Sequence, residues 1–214
     1  MFETPMSRFA GPIAVVAGVS VLATRLVIML TIPAERGDPL KAAVLSPVNT
    51  VNSIASIAAF GLLAIALAAI YDRQARAAGS FGLIAFGAAM IGTVFMAGDW
   101  WYEAFAVPWM ADVAPVVFDT GAGGPLLAGG LLSFALFALG WAMFGIASLR
   151  AGVFPRSISA TILVAGIGAG IPIAGAYLYA SLVFGLAIAW LGVWLRRAND
   201  ARTPAVGAAV VAKG

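Results

Sequence analysis

The sequence predicts an all-α polytopic integral membrane protein. The expected architecture is a six-transmembrane-helix bundle, both termini cytoplasmic, with an outer interfacial helical segment between the third and fourth spans. Three observations predict it. Six long apolar runs succeed one another along 214 residues. Only 10% of the residues are charged and 63% are hydrophobic, whereas ordinary soluble domains are about 25% charged, so a soluble fold would lack polar groups to cover its surface. Basic residues gather on alternate connections between the runs, the asymmetry that orients membrane proteins.

A span needs about 20 apolar residues, because the hydrocarbon core is ~30 Å thick and each helical residue rises ~1.5 Å. Helices are expected because lipid leaves no partner for exposed backbone groups, and the alternating pattern of a barrel strand is missing. The first run, 11–33, follows a single basic residue, Arg8, and reads as a retained span, since no small-residue cleavage site precedes a polar region. The second, 49–71, follows Pro47, with Asn49 placed to cap it. The third is 80–98 and the fourth is 126–147, after Gly124-Pro125. Residues 157–195 carry no charge. At helical rise they cover about 58 Å, close to two crossings. Pro172 and Gly175 permit a hairpin there, giving spans 157–174 and 178–195. These spans form one domain over 1–199, and the small, weakly polar stretch 200–214 reads as a disordered cytoplasmic tail.

With the N-terminus inside, the cytoplasmic pieces hold Arg8, Arg73, Arg76, Arg150, Arg156, Arg196, Arg197, Arg202 and Lys213, and the outer pieces hold Arg36 and Lys41. A five-span alternative would put Arg196 and Arg197 outside, so the charge rule favours six. Acidic residues run the other way: Glu35, Asp38, Asp99, Glu103, Asp112 and Asp119 fall outside. The outer segment 99–125 is long and too apolar for a free loop. One or two short interfacial helices, broken at Pro108 and Pro115, are expected. Gly11-Pro12-Ile13 and Gly124-Pro125-Leu126 open the two halves alike, a weak sign of an inverted repeat. The whole pattern resembles that of small six-span bacterial membrane proteins, with no motif behind the likeness, so no residue role follows from it.

Several chemistries lack their residues. Without Cys or His there is no thiolate nucleophile, no Ser-His triad and no imidazole metal ligand. Lys41 and Lys213 lie outside the apolar runs, so no buried lysine is available for a Schiff base. The pI is about 9.7, but the basic residues sit at helix ends and not on one face, so nucleic acid is not an expected partner. Asp99, Glu103, Asp112 and Asp119 offer hard oxygen ligands without a geometry that fixes them. No cofactor, metal site or catalytic residue is expected.

Arg25 is the formally charged residue inside a predicted span. A charge in the bilayer costs from about 2.5 to above 10 kcal/mol, so such residues face the bundle and have partners. Gly11, Ala14, Gly18, Val21 and Arg25 recur on one helical stripe, whose small residues admit a close neighbour. Partners expected at the same height are Asp99 and Glu103, one turn apart, and a stripe of Asn49, Asn52, Ser53 and Ser56. Trp101, within the cluster Trp100, Trp101, Tyr102, Phe105 and Trp109, is a candidate ligand wall, or else part of an interfacial belt. The candidate ligand-binding set is therefore Arg25, Asn49, Asn52, Ser56, Asp99, Trp101 and Glu103. An ion pair clamping the first and third spans is the structural alternative.

Three functions are compatible with this pattern. The first is binding or transport of a small or amphiphilic solute in an outward-facing polar cavity around Arg25. The second is a structural or regulatory subunit, with a membrane-protein partner or a second copy of itself. The third, a lipid-modifying enzyme, lacks the usual catalytic residues. In each the lipid bilayer is the constant partner.

Overall fold

A computed structural model describes residues 5–32, 38–114, 116, 123–173 and 175–200. Among them every regular element is helical, and four helices are long and apolar enough to cross a membrane. These are α1 (Pro5–Thr31), α3 (Pro47–Trp101, extending to Val113), α5 (Gly124–Ala151) and α7 (Ala176–Asp200). The shorter elements are α2 (Asp38–Val44), a π-helical turn (Tyr102–Ala106), α4 (Val107–Val113) and α6 (Arg156–Ala169). Arg36, Pro115, Asp119 and the expected tail beyond Asp200 lie outside the described residues.

The second and third apolar runs share α3, which reverses at Gly79 (φ 60°, ψ −155°). That region is essentially restricted to glycine. The Tyr71 and Phe86 rings stack with centroids 4.5 Å apart, where a straight helix would separate them by about 22 Å. The arms 47–78 and 80–101 therefore fold back on one another.

Two local expectations are corrected. The cap of α3 is Ser46, not Asn49: Ser46 is extended (φ −69°, ψ 147°) and its Oγ accepts from the Asn49 N–H at 3.2 Å. Pro47 occupies the first helical position, so the cap must precede it. Pro108 does not break the outer segment. Helix continues through the π turn into α4, with Pro108 in its first turn and the Val107 N–H donating to the Tyr102 carbonyl. The register slip lets a residue without an N–H enter there.

The expected span 157–174 is helical only as α6, about 21 Å long and shorter than a ~30 Å hydrocarbon core. Pro172 disfavours the helical conformation just before it. Gly170 packs so closely on α5 that a Cβ would sit 2.5 Å from the Ala138 nitrogen.

The long elements close a ring: α1 on α3, α3 on α5, α5 on α6, α6 on α7, and α7 on α1. Two seams bring backbones together. A Cβ on Gly18 would lie 2.4 Å from the Ala189 nitrogen, and one on Gly92 would lie 2.5 Å from the Leu136 carbonyl oxygen. Small residues permit this contact, the main source of helix association in lipid. Inside the ring Phe137, Trp141, Phe144 and Phe184 meet edge to face, and the buried Trp141 Nε1 donates to Thr93 Oγ1 at 3.1 Å.

The two ends differ. Arg73 donates to Asn199, Arg150 lies over Phe81 beside the Gly79 reversal, and Gly11 faces Arg196. That end is basic. The opposite end collects the C-terminal part of α1, the start of α3, the π turn and the start of α5.

Candidate functional site

The non-basic end holds a buried polar cluster centred on Arg25. The small-residue stripe of α1 seals against α7 through Gly11 and Gly18, and the next positions on it, Val21 and Arg25, are 2% exposed. The Arg25 Nη2 donates to Ser56 Oγ at 2.7 Å and makes a long contact of 3.5 Å with Thr24 Oγ1. Ser56 in turn donates to the Asn52 carbonyl at 2.8 Å. The guanidinium carbon sits 3.9 Å from the Trp100 ring centroid and 5.8 Å from that of Phe60. Among the described residues no carboxylate pairs with it, so the expected clamp to Asp99 is not made.

Asp99 turns instead to α5, where its Oδ1 accepts from Ser133 Oγ at 3.1 Å. The antiparallel seam permits this: Gly92 meets Leu136 and Phe137, and from two turns further along α3 the Asp99 side chain reaches back to Ser133, one turn along α5. Glu103 lies within electrostatic range of Asp99 and of Tyr177, and Tyr177 is within range of Arg25. Tyr177 packs edge-on against Phe134 at 5.9 Å, which places the start of α7 beside the same group. All four long helices thus contribute to one cluster.

Its hydrogen bonding is incomplete. Arg25 Nε, Asn52 Nδ2, Trp100 Nε1 and Asp99 Oδ2 are buried without a partner among the described residues. Buried polar atoms are normally paired, because leaving one bare costs about 1–3 kcal/mol. Three donors and one acceptor at this end thus have no described partner, as do atoms of Ser53, Gln74 and Ser159.

Of the candidate residues, Arg25, Asn52 and Ser56 are brought together, and Asp99 and Glu103 stand near them without touching the guanidinium. Asn49 is engaged elsewhere: its Nδ2 donates to the Val44 carbonyl at 2.9 Å, tying α2 to α3. Trp101 is 56% exposed and rests against Phe105. The indole that meets Arg25 belongs to Trp100. Its position was readable, since Ala89, Thr93, Met96 and Trp100 form one helical stripe and the first three are buried. Ser133 and Tyr177 had no such signal, because their roles depend on which helices become neighbours.

An apolar groove of about 510 Å³ opens between α1 and the first arm of α3, lined by Ala23, Thr24, Val27, Val48, Val51, Asn52 and Ala55 among others. A second, about 570 Å³, lies between α5 and the end of α6, around Ala138, Gly170 and Pro172. Among the described residues no group of three metal-ligating acids occurs. The chain matches no family model, no curated protein and no solved structure.

Proposed function

We propose that this is a multi-pass membrane protein that binds, and moves across part of the bilayer, a small or amphiphilic solute with an anionic group, held at the Arg25 cluster. The observation that carries this reading is a guanidinium 2% exposed whose described partners are a hydroxyl pair and aromatic faces. A desolvated cation–π contact contributes about 2 kcal/mol, and a hydrogen bond to a charged group about 1.5–3 kcal/mol. Together they exceed the lower estimates of burying the charge, about 2.5 kcal/mol, and fall short of the upper ones, above 10 kcal/mol. Neither partner carries a counter-charge. An anionic ligand would supply one, and the planar fork of arginine suits a carboxylate or phosphate.

In this reading the arms of α3 are separate crossings, and α6, continued by the non-helical residues 170–173, completes six with α7. The basic end is cytoplasmic, both termini are inside, and the Arg25 cluster opens outward. Asp99 and Glu103 tune the site from the side of α5 and α7.

The test is a titration in phosphatidylcholine nanodiscs. Tryptophan fluorescence should report binding of dodecanoate to the wild type, because Trp100 lies on the guanidinium. Arg25→Gln should weaken binding by about a hundredfold, the scale of a lost charge-assisted pair. Equal affinity in a folded Arg25→Gln variant would refute the reading.

A further inference from the structure

The groove between α1 and the first arm of α3 shares two of its lining residues with the Arg25 cluster. Thr24 lines the groove, and its Oγ1 is 3.5 Å from Arg25 Nη2. Asn52 lies on the groove, is 5% exposed, and carries an unpartnered buried Nδ2. Its carbonyl holds Ser56, which holds Arg25. The remaining lining is aliphatic, from Ala23, Val27, Val48, Val51 and Ala55. Val48 and Val51 are exposed on the outer flank of the bundle.

We infer that this groove admits the acyl chain of a single-chain anionic amphiphile from the side, with its carboxylate reaching Arg25 past Thr24 and Asn52. The inference rests on the solute-binding reading above and names the class of solute. Its volume falls within the range of small-molecule sites, about 300–1,000 Å³, and its almost wholly apolar lining suits an acyl chain. Charge complementarity selects the head: among the described residues no anion touches the guanidinium, and Asn52, shared by groove and cluster, carries a buried donor without a described partner. A single chain is proposed because, of the two grooves described, this one shares residues with the cluster. The other large groove lies between α5 and α6, a different pair of helices.

Chain and head are separable by experiment. Wild type, Ala55→Trp and Arg25→Gln are titrated in phosphatidylcholine nanodiscs with dodecanoate, butanoate and dodecanol. Ala55→Trp fills the groove and leaves the cluster intact, and Ala23→Leu does the same from the opposite wall should the first variant fold poorly. The inference predicts that either groove variant weakens dodecanoate about tenfold or more, since the burial of only a few methylenes is worth that much, while butanoate is unaffected. Dodecanol should bind far more weakly than dodecanoate. Undiminished dodecanoate binding in both groove variants, with loss in Arg25→Gln, would overturn the lateral route and leave the Arg25 site standing. Arg25→Gln binding both acids like the wild type would instead overturn the site itself. If phosphatidylglycerol in the nanodisc displaces dodecanoate from the wild type stoichiometrically, the occupant is a two-chain lipid and the single-chain assignment is wrong.

Discussion

The guanidinium carbon of Arg25 lies 3.9 Å from the centre of the Trp100 ring, joining α1 to the second arm of α3. Ser56, on the first arm, holds the same guanidinium at 2.7 Å. One side chain therefore touches three helical segments at the end of the bundle opposite the basic residues.

Replacing Trp100 by Leu should destabilise the protein, because the buried charge then keeps one compensating contact fewer. Loss of a desolvated cation–π contact costs about 2 kcal/mol, which thermal unfolding in detergent would detect as a lowered Tm. Trp100→Phe, which keeps an aromatic face, should lose less. Equal stability of Trp100→Leu and wild type would show the stacking to be incidental.

The seam between α3 and α5 depends on bare backbone at Gly92. Gly92→Ala puts a methyl 2.5 Å from the Leu136 carbonyl, an overpacking that costs about 1–3 kcal/mol. Gly87, on the same arm, has open space around it, so Gly87→Ala should be neutral or slightly stabilising. Parallel urea titrations of the two variants would separate close packing from glycine content.

Gly79 is constrained by conformation and not by space, since nothing lies within 4 Å of a Cβ placed there. Gly79→Ala should still cost about 1–3 kcal/mol, because its backbone angles exclude side chains. A stable Gly79→Ala protein with an unchanged helical signal would mean that the reversal lies elsewhere.

Sidedness is open to direct labelling, because the chain has no native cysteine. The six-crossing arrangement predicts that Trp109→Cys reacts with an impermeant maleimide on intact cells, and that Ala77→Cys reacts only after lysis. The reverse pattern would invert the bundle.

The fold was legible where chemistry is local. Apolar run length gave the helices, and the spacing of Gly11, Ala14, Gly18, Val21 and Arg25 gave the buried face of α1. The Gly79 reversal could be anticipated from the basic pair Arg73 and Arg76 beside it. Relationships set by packing were hidden. The expected meeting of Arg25 with Asp99 does not occur, because the α3–α5 seam delivers Asp99 to Ser133. Trp100, and not the expected Trp101, meets Arg25; the two differ by one helical position, a rotation of about 100°, and the stripe of Ala89, Thr93 and Met96 decides which indole faces inward. The shortening of α6 was also hidden: apolar composition continues through residues 170–173, while Gly170 and Pro172 end the helix.

The most direct test of the central claim is the unfolding temperature of Arg25→Met beside that of the wild type, with and without dodecanoate. A guanidinium held ready for an anion is a burden on the empty protein, because a buried charge without a counter-charge destabilises it. The variant should therefore melt at or above the wild type, and only the wild type should shift upward with dodecanoate. A variant that melts lower, beside a wild type indifferent to the ligand, would make Arg25 a structural clamp and contradict the account.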